Sequence, residues 1–224
     1  MIHVRTRIER PDPALVTGLA QYSSATIHEA HGRRGALDSA LKPIDRSMSF
    51  CGPAVTVACA PRDNLMLQVA IHYAEPGDVL VVSAGEFSEA GTFGDVLGTA
   101  MHSKGLAALV TDSGVRDTAD LIELGLPVFS RSVCIKGTVK ETLGPINHPI
   151  VFGGEVVEPG DIVKGDADGV VLVKAGDAQW VIDACAEREA SEAELRELYR
   201  AGGTTIELCN LVEKLAAKGL LVEE

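Results

Sequence analysis

GDVLGTAMHSKGLAALVTDSGVRDTAD, residues 94–120, contains one full cycle of an α/β rhythm. Gly94 and Asp95 open a helix that the spacing extends to about Lys104, and the small and β-branched residues of LAALVTD then predict a buried strand. Asp117 opens the next helix, to about Leu124, and PVFSRS gives another strand. Working upstream, AVTVACA predicts a strand from near Val55, DNLMLQVAIHYA a helix with Asp63 as its cap, EPGD a turn, and VLVVSA a second buried strand. Strands alternating with helices in this way predict parallel pairing, with helices layered on the sheet.

The flanks differ in texture. Asp12 before Pro13 is a strong helix start, predicting a helix to about Tyr22, and SATIHEAHG predicts a second that ends at Gly32. Residues 32–53, rich in glycine and proline, read as a long connection. Beyond residue 136, GTVKETLG, PIVFGGEVVEPGD and GDADGVVLVK predict short strands and turns. From Gly176 the chain becomes helical: one long, partly exposed helix, then a threonine-capped helix over TTIELCNLVEKLAAKG. Residues 1–224 are thus expected to form a single domain, with an α/β core, a β-rich second half and a helical region over about 176–224.

Composition narrows the function classes. A formal charge of −12 repels a phosphate backbone, and no basic cluster offsets it, so nucleic acid is not expected as a partner. The five cysteines are scattered with no CxxC pair, which argues against a disulfide framework or a thiolate zinc site. Charges interrupt the N-terminal segment where a signal peptide needs an apolar core, and no stretch approaches the roughly 20 apolar residues of a membrane span. A cytoplasmic protein with no membrane partner is expected.

Two motifs carry candidate chemistry. In DSGVRD, Arg116 and Asp117 fall at the C-terminal end of a predicted parallel strand, where open α/β folds place ligand crevices. An arginine there can grip a carboxylate through two hydrogen bonds, and an aspartate can ligate Mg²⁺ or Mn²⁺. Equally, Asp117 can simply cap the following helix, leaving Arg116 solvated. In FGDVLGTA, Gly94 at a helix entrance lets backbone amides near Val96 and Leu97 approach an anion, or Asp95 merely caps. If the strands are parallel, both motifs reach the same sheet edge. HEAH at 28–31 has its histidines three apart, whereas the zinc-protease pattern needs four. GDADG at 165–169 lacks the glutamate of a calcium loop and reads as a hairpin turn. Lys140 is a Schiff-base candidate only if it is desolvated.

ATIHEAHGRRG, APRDNLM, EPGDVLVVS, FGDVLGTA, DSGVRD, GTVKETLG and DADGVVLV together resemble the class II 4-hydroxy-4-methyl-2-oxoglutarate/4-carboxy-4-hydroxy-2-oxoadipate aldolases. That family is related to the regulator of ribonuclease activity A. The resemblance covers nearly the whole chain, and GTVKETLG with GVRD looks more like the aldolase branch. It implies an αββα sandwich of swivelling β/β/α type with C-terminal helices, assembled as homotrimers or homohexamers with intersubunit active sites. It also implies a divalent cation, Mg²⁺ or Mn²⁺, and a pyruvyl substrate. By motif, Gly94, Asp95, Val96 and Leu97 would line the pyruvate site, Arg116 would bind the pyruvyl end, and Asp117 would ligate the metal. A water oriented by Asp95, or by a glutamate of a neighbouring subunit, would serve as base. That glutamate falls at Glu192, with Glu189 and Glu194 nearby. Implied activities are aldol cleavage to pyruvate plus pyruvate or oxaloacetate, at the end of protocatechuate or gallate breakdown, and oxaloacetate decarboxylation as a side reaction. Arg62 and Asn64 would face the distal carboxylate. The alternatives are a non-catalytic regulator of ribonuclease activity that acts by protein contact and a Schiff-base aldolase using Lys140.

Overall fold

The computed structural model describes residues 3–220. Its elements run α1 (Pro13–Ala20), α2 (Ser24–Ala30), β1 (Lys42–Pro43), β2 (Phe50–Ala58), α3 (Leu65–Tyr73), β3 (Val79–Ser83), β4 (Gly91–Phe93), α4 (Asp95–Ser103), β5 (Ala108–Val115) and α5 (Thr118–Leu124). There follow β6 (Val128–Val133), β7 (Ile150–Phe152), β8 (Glu155–Val157), β9 (Ile162–Gly165), β10 (Val170–Val173), α6 (Ala178–Arg200), α7 (Thr205–Leu208) and α8 (Leu211–Ala217). The main sheet has the order β1-β6-β5-β3-β2-β9-β10, with β4 also paired to β5, while β7 and β8 form a separate hairpin. As the β-α-β rhythm predicts, β2, β3, β5 and β6 pair in parallel.

The period-2 pattern of the strands sorts side chains into layers. On β3, Leu80 and Val82 face a core shared with α3, α4 and α5, while Val79 and Val81 face an inner core. On β10, Val170 and Leu172 join that inner core, while Val171 and Val173 face Leu19, Ile27 and Val181 of α1, α2 and α6. The sheet is therefore folded across itself between two helical layers, the αββα sandwich that the resemblance implies.

β2 is the crease. It begins at Phe50, earlier than the expected start near Val55, because Gly52 and Pro53 do not break it. Phe50–Pro53 run antiparallel to β9, whereas Ala54–Ala58 run parallel to β3. Gly52 is needed there, since a Cβ would lie 2.4 Å from the Gly77 carbonyl oxygen. The predicted C-terminal helix is also corrected: Asn210, at φ 52°, splits it into α7 and α8, a left-handed conformation that asparagine tolerates. Neither α7 nor α8 contains a buried residue. No helix among the described residues is long and apolar enough to cross a membrane. The five cysteines are free, and burial pushes the Cys51 and Cys185 thiols up to about 11 and Cys59 to about 12, so these three serve packing rather than nucleophilic chemistry.

GTVKETLG was expected to form a short strand but is an irregular loop, pinned by Asp63. Asn64 rather than the expected Asp63 occupies the cap position of α3; the buried Asp63 carboxylate, one residue earlier, accepts from the amides of Leu65 at 2.9 Å, Glu141 at 2.9 Å and Thr142 at 2.7 Å. Burial alone would raise its pKa, but these amides outweigh it and hold the carboxyl below its ordinary range. The folded state therefore favours the charged form. Its contribution is complete above the unfolded carboxylate pKa and disappears as pH falls through the lower folded value. Asp63→Asn sets an amide nitrogen against donor N–H groups, so its melting temperature at neutral pH should fall by roughly 5 °C. The gap from wild type should narrow below about pH 4; an equal gap at pH 7 and pH 3 in a thermal melt would contradict this assignment.

Candidate functional site

The pairing of β4 with β5 builds the site. Gly91 and Phe93 lie in parallel register with Gly114 and Val115, so the chain leaving β4 toward α4 runs beside the chain leaving β5 toward α5. The Arg116 amide donates to the Phe93 carbonyl at 2.9 Å, which locks the two exits together. Gly94–Leu97 and Arg116–Asp117 consequently form one wall of a cleft of about 340 Å³, and Asn64, Gln68 and Lys140 lie on its lining as well. The convergence inferred from sequence is present.

Asp117 does not play the simple capping role that sequence allowed. It sits at φ 55° and its side chain makes no cap hydrogen bond to α5. Its Oδ2 instead accepts, at a long 3.4 Å, from the Asp95 amide and lies 3.3 Å from Arg116 Nε. A left-handed non-glycine residue has a conformational cost, and here that geometry turns the carboxylate into the cleft rather than onto its helix. Gly94, not Asp95, occupies the cap position of α4. A Cβ on Gly94 would stand 2.2 Å from Asp117 Oδ2 and 3.2 Å from Arg116 Cγ, so glycine is what lets the two side chains approach the helix entrance.

The local electrostatics favour an anion. The first i→i−4 bond of α4 runs from Gly98 to Gly94, so the amides of Val96 and Leu97 precede the helical ladder and carry the positive end of its dipole. Beside them, the half-exposed Arg116 guanidinium retains donors for a carboxylate. For a hard cation, the donor set is one or two carboxylates. Among the described residues no three histidine, cysteine, aspartate or glutamate side chains converge. Mg²⁺ keeps several waters and is commonly held by one or two carboxylates, so Asp117, uncapped and beside the space that Gly94 leaves, with Asp95 nearby, fits such an ion.

Other candidates are placed elsewhere. Glu192 lies on α6, within 2.8 Å of Arg188 and 3.7 Å of Arg196, in a surface hollow with Glu189 and with Glu29 of α2. α6 belongs to the helical layer opposite α3, α4 and α5, so Glu192 is not brought to this chain's own cleft. Glu194, also on α6, is exposed. Lys140 reaches the cleft but is exposed, without the desolvation a Schiff-base lysine requires. Asn64 lines the cleft, yet its amide donates to the Thr92 carbonyl; Arg62 is exposed and is not among the lining residues. His28 and His31 do not converge: His28 Nδ1 lies by the Arg34 carbonyl, and the buried His31 ring packs on Trp180 at 5.3 Å. GDADG is the β9–β10 turn, as expected, with Asp166 accepting from the Ser24 amide and hydroxyl. Gln68 is a lining residue that sequence reading missed, as it did Gly91 and Thr92. An uncharged side chain on an amphipathic helix carries no signal of its own; the only available hint was its i,i+4 spacing from Asn64.

Fold and site together define an αββα-sandwich protein with a cleft, lined by Arg116, Asp117 and the entrance of α4, where two parallel strands end. Residues 24–172 match the family model described as RraA-like, Aldolase/RraA, and the chain belongs to that family. A Halalkalibacterium halodurans protein, provisionally named 4-hydroxy-4-methyl-2-oxoglutarate aldolase, is 38% identical over 162 residues, covering 72% of this chain and 76% of that one. A Xanthomonas campestris protein with the same provisional name is 33% identical over 129 residues, 57% of this chain and 76% of its own. Among solved structures, Streptomyces coelicolor RraAS2, described as an unusual member of the RNase ES inhibitor RraA family, superposes with a TM-score of 0.75 at 32% identity, covering 84% of this chain and 99% of that one. The family thus spans proteins named as aldolases and proteins named as ribonuclease inhibitors.

Proposed function

We propose that this protein is a divalent-metal-dependent pyruvate aldolase that cleaves 4-carboxy-4-hydroxy-2-oxoadipate, 4-hydroxy-4-methyl-2-oxoglutarate or both, with oxaloacetate decarboxylation as a second activity of the same site. The observation that carries this reading is the left-handed Asp117, whose carboxylate is withheld from α5 and set beside Arg116 at Gly94.

The chain's own groups account for most of the chemistry. Arg116 and the Val96 and Leu97 amides bind and orient the pyruvyl carboxylate and 2-oxo group. Breaking the C3–C4 bond leaves its electron pair on C3, delocalised as an enolate onto the 2-oxo oxygen, and preorganised donors stabilise that charge as it develops. Asp117 would hold Mg²⁺ or Mn²⁺, which would supply Lewis acidity for that developing charge. The proton of the 4-hydroxyl leaves as C4 becomes a carbonyl, accepted by a water that Asp95, or Glu192 of a neighbouring copy, orients. Carbon dioxide leaving from oxaloacetate yields the same enolate.

Val96, Val133, Ile135 and Val139 support a homotrimer or homohexamer with intersubunit sites. They lie on segments at or beside the cleft, and each is more than half exposed, so a second copy would bury them. The likeness to RraAS2 supports a second reading, a ribonuclease regulator acting by contact. Pyruvate release, followed with lactate dehydrogenase, separates the two. Protein stripped with EDTA should lose at least about 100-fold in rate and recover with Mg²⁺ or Mn²⁺. No pyruvate from any of the three substrates, with either metal, would overturn the aldolase in favour of the regulator.

A further inference from the structure

We propose that Gln68 positions the substrate's 4-hydroxyl and thereby sets the preference for 4-hydroxy-2-oxo acids over oxaloacetate; this rests on the function proposed above. The Thr92 carbonyl can only accept, and Asn64 Nδ2 donates to it at 2.9 Å. That fixes the orientation of the buried Asn64 amide and leaves its Oδ1 as an acceptor. Gln68 Nε2 fills that acceptor at 3.1 Å, one helical turn along α3. With one Nε2 hydrogen so engaged, Gln68 keeps one further N–H and the acceptor Oε1, which has no partner among the described residues, and the residue lines the cleft. Asn64 is anchored to β4, the strand that delivers Gly94, so this acceptor and the pyruvyl-binding wall share one rigid frame.

The cleft thereby offers donors alone at one end, on Arg116 and α4, and at α3 a neutral amide whose Oε1 is the acceptor a hydroxyl can use. A 2-oxo acid bearing a hydroxyl two carbons beyond its carbonyl matches this order: carboxylate and oxo group accept, and the hydroxyl donates. Oxaloacetate has no such donor. An amide does not take up the hydroxyl proton, so Gln68 is a positioning residue. It holds the O–H so that its proton leaves toward the base as the C3–C4 bond breaks.

The test compares kcat/KM for 4-hydroxy-4-methyl-2-oxoglutarate and for oxaloacetate in wild type, Gln68→Met and Gln68→His. Methionine keeps the volume without the acceptor, whereas histidine offers a donor and an acceptor together. In Gln68→Met the ratio of the two kcat/KM values should fall by about 10-fold or more, with the loss mainly in the aldol substrate, and Gln68→His should restore part of it. Equal losses on both substrates would make Gln68 a wall residue and overturn the proposal, as would an unchanged ratio in a folded variant. A wild-type protein inactive on both substrates would instead remove the function on which the proposal stands.

Discussion

Asp117→Asn is expected to abolish pyruvate release, by about 10³-fold or more, while the protein stays folded. Asparagine tolerates the left-handed conformation about as well as aspartate, and no cap hydrogen bond is lost because Asp117 makes none to α5. What changes is charge. The carboxylate beside Arg116 becomes a neutral amide, which removes the anionic ligand proposed for the cation and the charged partner 3.3 Å from Arg116 Nε. Thermal melts should therefore lie within a few degrees of wild type, and rates should not recover with excess Mg²⁺. Asp117→Ala should be as inactive and somewhat less stable, by about 1 kcal/mol, since alanine is poorer at positive φ. Activity retained in Asp117→Asn would mean that the residue's role is conformational and that the cation, if needed, is held elsewhere.

Gly94→Ala should be nearly as damaging, by about 10²-fold or more in kcat/KM, although it adds one methyl group. The backbone at Gly94 is extended, φ −153°, a conformation alanine adopts freely, so the fold does not resist the change. The obstacle is the Asp117 carboxylate, 2.2 Å from where the new Cβ would stand, with the Arg116 stem behind it at 3.2 Å. Both are side chains, so they would rotate aside and leave the geometry that the cleft is built to hold. The combination of near-native stability with lost activity is the signature to look for. A variant equally active and stable would show that Asp117 works from a different rotamer.

Much was legible before folding was considered. The alternation around VLVVSA and LAALVTD marked strands buried on both faces, and the glycine–acid and Arg–Asp pairs marked strand exits. What the local pattern missed has a common cause. Gly52-Pro53 looks like a break, because a sequence window does not reveal that β2 changes partner there, pairing with β9 on one side of Pro53 and β3 on the other. GTVKETLG looks like a strand, because nothing in it announces that Asp63, far away in the chain, will take its amides. In the cleft, charged Lys140 drew attention and neutral Gln68 did not, although Gln68 carries the oriented acceptor.

The sequence alone determined the α/β class, the expectation that its central strands pair in parallel, and the two motifs of the site. Periodicity, turn chemistry and residue type are local properties, readable within a few turns of chain. Only the tertiary structure decided that the sheet folds over itself at β2, that Gly94 and Arg116 stand side by side, and that Asp117 leaves its helix uncapped to face the cleft. Each of these depends on which strand lies beside which. That choice is made by burying three apolar layers at once, a balance no single segment encodes.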